Sequence, residues 1–367
     1  MLSPLDDYPI HQIPEPVRFV ETSDRNFYDR YYFNAYSRTD DIFLVMGMGQ
    51  YPNLSTTDAF VAVRQGDRQQ VVRASTELGV DRSDTKVGPF EVEVIEGLRS
   101  LRMRCGPNEG GIELDLVWNG TTPPVLEPRH FYRNHARVAS NTMRLTQTGA
   151  WTGELRIGAD TFTVDPQTWT GTRDRSWGIR AVGEAEPRGI RDALPAPGFF
   201  WLYSPMQFDD FAILTILHED RNGARVLEEA VRVWPEETGR DPEPLGHPIH
   251  EIEFVEGTRT PARARLTFTD PDGNSLPVNV EPLLPLYVAL GCGYGNDHDW
   301  RHGMYQGKNV VQYRSYDLTD PEVQARSRGV TDYAARFELE DGSTGYGLFE
   351  FTILGPYEPY GFGSRSR

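Results

Sequence analysis

FEVEVIEGLRSLRMRCGPNEGGIELDLVW, residues 90–118, decides the fold class. Within it FEVEVIEG (90–97), LRMRC (101–105) and IELDLVW (112–118) alternate apolar and polar residues with a period of two, the pattern of strands that bury one face. ELRIGADTFTV (154–164) and RARLTFTD (263–270) repeat the pattern further along the chain. Between strand-like runs stand Asn222-Gly223, Asp272-Gly273 and Asp341-Gly342, the dipeptides that a tight hairpin favours because its central residues adopt positive φ. Connections this short pair strands antiparallel. Amphipathic helical windows are scarce, and PEVQARSRG (321–329) is the best candidate for a single short helix. The expected class is therefore all-β.

The chain has 367 residues, more than one sandwich requires. So many strands must close their edges, and two barrels or one barrel-like double sheet are the economical arrangements. GEAEPRGIRDALPAPG (183–198) breaks all periodicity and concentrates Pro, Gly and charge. It reads as a junction, giving an N-terminal half over 1–185, a junction over 186–198 and a C-terminal half over 199–367. Each half starts with aromatic-rich strands, FYDRYYFNAYS and DIFLVMGMG in the first and FFWLYSPMQFDDFAILTIL in the second, consistent with a diverged internal repeat.

Composition removes several functions. Acidic residues outnumber basic ones 54 to 37, for a net charge of -17, which disfavours nucleic acid and anionic membrane surfaces as partners. Lys86 and Lys308 are the only lysines, and Asn309 follows Lys308, so neither Schiff-base chemistry nor a phosphate-binding loop is expected. Cys105 and Cys292 form no CxxC pair, and MLSPLDDYPIHQIPEPVRF carries acid and proline where an export signal would be basic and then apolar. The expectation is a reduced, cytoplasmic protein without a membrane span; the oligomeric state is open.

Two segments carry more chemistry than strands need. In TWTGTRDRSWGIR (168–180), Trp169 and Trp177 bracket Arg173, Asp174, Arg175 and Arg180. Asp174 reads either as an ionised salt-bridge residue whose neighbouring guanidiniums lower its pKa, or as an acid or polar anchor at a pocket mouth. GCGYGNDHDWRHGMYQGK (291–308) places His298 and His302 four apart, beside Asp297, Asp299, Trp300, Arg301 and Tyr305. On a helix those histidines could share a zinc ion, but the glycines argue for a loop and no third ligand is evident, so no metal is expected. What remains is either a His-Asp acid/base cluster or a glycine-rich crossover. Glycines 291, 293 and 295 lack the βαβ setting of a dinucleotide fingerprint, and no Gly-x-Ser-x-Gly elbow occurs. His130, Tyr132 and His135 mark a possible crossover, while Asp209 and Asp210 read as turn or edge residues.

The WTGTRDRSWGIR stretch, followed after a Pro-rich break by FFWLYSPMQFDDFAILTILHEDRNG, resembles the tandem lipocalin-like proteins of the hydroxyneurosporene synthase class. That class includes carotenoid 1,2-hydratases, tocopherol cyclase, fungal kievitone hydratase and certain Diels-Alderases. The resemblance implies two consecutive lipocalin-like antiparallel β-barrel domains, an aromatic-lined cavity and no cofactor. With it, the leading expectation is a cofactor-independent hydratase, cyclase or isomerase acting on a C=C bond of a hydrophobic terpenoid-like or phenolic small molecule. Asp174 or Asp299 would be the acid and His298 or His302 the relay or base. Trp177, Trp300, Tyr305 and Arg175 would contact substrate. The alternative is a non-catalytic carrier, since the same barrel can hold a ligand without transforming it.

Overall fold

A computed structural model describes residues 2–38, 41–186, 198–294 and 297–363. Thirteen strands come from the first half: β1 (Phe27–Tyr36), β2 (Ile42–Tyr51), β3 (Thr56–Gln65), β4 (Arg68–Glu77), β5 (Lys86–Val87), β6 (Phe90–Glu96), β7 (Ser100–Cys105), β8 (Ile112–Gly120), β9 (Val125–Leu126), β10 (His130–Asn134), β11 (Arg137–Ile157), β12 (Asp160–Val164) and β13 (Thr170–Arg180). The second half supplies β14 (Phe199–Gln207), β15 (Ala212–Asp220), β16 (Arg225–Val233), β17 (Glu243–Pro244), β18 (Ile249–Phe254), β19 (Pro261–Thr269), β20 (Ser275–Tyr287), β21 (Val310–Asp317), β22 (Thr331–Leu339) and β23 (Thr344–Leu354). The class is all-β, as the alternation implies. α1 (Pro321–Arg326) occupies the expected helical stretch, started by Asp320, whose side chain accepts the Glu322 N–H at 2.8 Å.

The strands form two antiparallel sheets. One follows the order β21-β4-β3-β2-β1-β13-β11-β8-β7-β6-β5, and the other runs β17-β16-β15-β14-β23-β22-β20-β19-β18. β21 joins the first sheet although its sequence lies in the second half, pairing Val310 with Ser75 through Asp317 with Arg68. Most of the expected junction, residues 187–197, lies outside the described residues. The three hairpin glycines Gly223, Gly273 and Gly342 hold φ of 82°, 84° and 86°, which a side chain at those turns would resist.

Each sheet encloses its own core. The first is filled by Phe33, Leu44, Met46, Leu116, Trp118 and Trp151 among others, and the second by Phe200, Leu202, Leu266, Phe337, Phe349 and Phe351. A third cluster lies where the sheets meet and takes residues from both: Tyr32, Tyr36, Phe43 and Phe60 from one, Tyr203, Ile216, Ala334 and Leu348 from the other. Strands at this seam therefore bury both faces. On β1 Phe33 points into the barrel while Tyr32 points to the seam; on β23 Phe349 and Phe351 point inward while Leu348 points to the seam. The polar residues of the candidate site sit on the seam faces.

Candidate active site at the seam

Two rows of ladder partners face one another across the seam. In the first sheet Tyr32 pairs with Asp174, and Asp174 with Thr146. In the second, Asp332 pairs with Glu350, Glu350 with Tyr203, and Tyr203 with Ile216. The rows are joined by hydrogen bonds: the Tyr32 hydroxyl donates to Asp332 Oδ2 at 2.6 Å, and the Thr146 and Tyr203 hydroxyls meet at 2.5 Å. Between them lies a cavity of about 290 Å³ whose wall includes Tyr31, Tyr32, Glu127, Arg144, Asp174, Trp201 and Glu350.

The polar groups of this cavity form two sets. Arg144 donates through Nε to Glu127 Oε2 at 2.6 Å, stands 3.8 Å from Asp174 Oδ2 and lies 4.0 Å over the Tyr203 ring. Thr146 donates to the other Glu127 oxygen at 2.8 Å. Burial works against the Arg144 charge, but Glu127, Tyr203 and Asp174 hold it firmly protonated. The second set is the Asp332–Glu350 pair. Two carboxyls directly opposite on neighbouring strands repel when both are ionised; Asp332 is fully buried and Glu350 partly so. Burial, then the Glu350 charge, lifts the Asp332 pKa far above the carboxylate range; burial also raises Glu350, against the pull of Arg144. Both shifts favour a protonated carboxyl, and the two opposed groups titrate as a pair. Trp201 Nε1 donates to Glu350 Oε1 at 2.5 Å, and Asp332 Oδ1 has no hydrogen-bond partner among the described residues.

Asp174 is 8% exposed and lines this cavity. Its partners differ from those expected. Strand alternation sends Arg173 and Arg175 to the opposite face, where Arg173 donates to Gln147 Oε1 at 2.8 and 3.0 Å and Arg175 binds Asp29. The nearest cation is Arg144, and burial wins over it, so the Asp174 pKa is raised rather than lowered. Half-buried Trp177 shares the Arg175 face of β13, away from Asp174.

The loop over 291–308 scatters its chemistry. His298 is exposed. Asp299 is bound by Arg73 at 3.3 Å and Arg314 at 3.2 Å, and the Trp300 ring lies 4.4 Å beneath the Arg73 guanidinium. Tyr305 is exposed, its hydroxyl donating to Glu77 at 3.3 Å. His302 is buried, with Nδ1 3.8 Å from Asp58 Oδ1 and its ring edge-on to Tyr294. Burial, then the charge of Arg30, pushes its pKa down to about 4. His298, Asp299 and His302 thus do not converge, and among the described residues no three His, Cys, Asp or Glu side chains gather to hold a metal.

Asp332, Glu350, Arg144, Glu127 and Trp201 were not singled out by sequence. The available signal was a carboxylate within an apolar strand, as in Phe349-Glu350-Phe351. His130, noted only as a crossover residue, lines the cavity, and its pKa is lowered to about 4 by burial and by His218.

A model described as a family of unknown function (DUF8625) matches residues 2–363. The chain belongs to that family. Curated protein sequences give no match. Among solved structures, kievitone hydratase from Nectria haematococca is similar over 88% of this chain and 88% of its own, at 12% identity and a TM-score of 0.51. CghA in complex with Sch210972 is similar over 90% of this chain and 89% of its own, at 9% identity and a TM-score of 0.48. The likeness to the hydratase shows a shared fold, the lipocalin-like architecture that the WTGTRDRSWGIR resemblance implies for this family member.

Proposed function

We propose that this member of the family is an enzyme that protonates a C=C bond of a hydrophobic small molecule and so carries out a hydration, cyclisation or isomerisation. The observation that carries this reading is the Asp332–Glu350 pair, two carboxyls set opposite one another on neighbouring strands with Glu350 at the wall of an aromatic cavity, where burial raises both pKa values. Alkene protonation needs such an acid, because an ionised carboxylate has no proton to give. Glu350, the member lining the cavity, passes a proton to a substrate carbon. The Tyr32 hydroxyl and Trp201 indole N–H then stabilise the anionic pair that remains. The cation formed on the substrate lies among Tyr31, Tyr32 and Trp201, whose ring faces favour positive charge. Asp174, kept on the same cavity beside Arg144, takes a proton back from the cation or from an attacking water. All these steps use side chains of this chain alone.

A carrier needs only apolar walls and a polar mouth. Incubation of a co-purifying hydrophobic compound with the protein in heavy water separates the two readings. Deuterium should enter at carbon with the natural protein and enter at least about 100-fold more slowly with Glu350→Gln, while ligand affinity is retained. Compound recovered unchanged from the natural protein would establish the carrier.

A further inference from the structure

The seam cavity adjoins a larger chamber of about 940 Å³, and Arg180 and Tyr294 belong to the walls of both. In a chain of net charge -17 this chamber is positive. Arg25, Arg137, Arg180 and Arg301 line it against two carboxylates, Glu184 and Glu186. Both carboxylates are already engaged: Arg25 stands 3.8 Å from Glu184 and 3.0 Å from Glu186, and Arg137 also binds Glu186. Arg180 and Arg301 are left over. Neither side chain makes a hydrogen bond or ion pair among the described residues; Arg180 lies 4.9 Å over the Tyr28 ring, and the buried Nε of Arg301 is unpartnered. His302, 6% exposed, lines the same chamber with an Nε2 that likewise has no partner. Arg180 is exposed at the neck, whereas the Arg301 Nε donor is withdrawn from water without a partner, a cost that is removed when a ligand supplies the acceptor.

We propose that the outer chamber is a carboxylate subsite, in which Arg180 at the neck and Arg301 behind it bind the carboxylate of a substrate whose apolar body fills the seam cavity. The proposal rests on the seam cavity being the substrate site. It narrows the substrate class to hydrophobic acids. Two guanidiniums present parallel N–H pairs that match the two oxygens of a carboxylate, so an acid is distinguished from its own ester by charge and geometry together.

The test is a fluorescence titration, at pH 7, with 1-naphthylacetate, its methyl ester and 1-naphthaleneethanol, read through quenching of the tryptophans, of which Trp201 lines the seam cavity. The acid should bind about tenfold or more tightly than the ester and the alcohol. Arg180→Gln and Arg301→Gln should each erase most of that preference while leaving the ester affinity unchanged, and Arg240→Gln, at the remote Trp234, should keep it. Equal binding of acid and ester by the natural protein, with the ester still bound, overturns the subsite and leaves the seam cavity standing. So does a loss of acid and ester affinity in equal measure in the arginine variants. Failure of all three compounds to bind overturns the seam cavity as a ligand site, and the subsite with it.

Discussion

His302 gives the protein a pH dependence whose sign follows from its surroundings. Burial and the charge of Arg30 hold its folded pKa at about 4, against an ordinary value of 6.5. Between those values the unfolded chain takes up a proton that the folded chain refuses, so this group's contribution is complete above pH 6.5 and is lost as pH falls toward 4. The buried acids Asp332, Glu350, Asp174 and Glu127 act in the opposite sense, because their folded pKa values are raised and protonation favours the fold. His302→Gln leaves those acids in place. The melting-temperature advantage of the natural protein over that variant should therefore shrink between pH 7 and pH 4.5. An advantage that stays constant across the range would mean that His302 titrates normally.

At the scale of the element, the 291–308 loop is held by one buried cation. Arg73 on β4 reaches Asp297 Oδ2 at 3.1 Å, Asp299 at 3.3 Å and Gln312 Oε1 at 2.9 Å, with Trp300 stacked against it. Asp297 is 4% exposed and also accepts the Gly291 N–H at 2.8 Å, so it ties the start of the loop to its middle. Arg73→Met would leave a buried carboxylate with Arg326 as its remaining cation. The expected loss, from denaturant titration, is about 3–5 kcal/mol. Asp299, whose side chain is 59% exposed, is a screened partner, and Asp299→Asn should cost less than about 1 kcal/mol. Equal losses in the two variants would remove Arg73 as the anchor. The glycine-rich composition indicated a loop, but not which of its charged side chains would be consumed in fastening it. That depended on Arg73, more than 200 residues earlier in the chain.

For the molecule as a whole, the two sheets share structure in two ways. Their common core joins Tyr32, Tyr36 and Phe60 to Tyr203, Ile216 and Leu348, and β21 closes one edge of the first sheet with a strand from the second half. Neither sheet can unfold without exposing the seam face of the other. Calorimetry and tryptophan fluorescence should therefore report one coincident unfolding transition. Two resolved transitions, one for each sheet, would show that the seam contributes little to stability.

The period-two alternation from 90 to 118, the Asn-Gly and Asp-Gly turns and the Asp320-capped helix are local features, set by φ/ψ preferences and by which side chains share a strand face. These determined, without tertiary information, an all-β chain of antiparallel hairpins. ELRIGADTFTV marks the limit even of that reading: it contains the turn between β11 and β12, with Gly158 at φ 61°. Asp174 was legible as a chemical residue because it stands among arginines, yet its real partner, Arg144, belongs to a neighbouring strand. Glu350 was not legible. Alternation with Phe349 and Phe351 places it on the outer face of its sheet, which for an isolated sheet is the face toward water. Only the packing of the first sheet, with Tyr32 bonded to Asp332, covers that face and draws the two carboxyls away from water, which raises their pKa values. Alternation specifies which side chains share a face; the tertiary structure decides what that face meets, and with it the charge state on which the proposed chemistry depends.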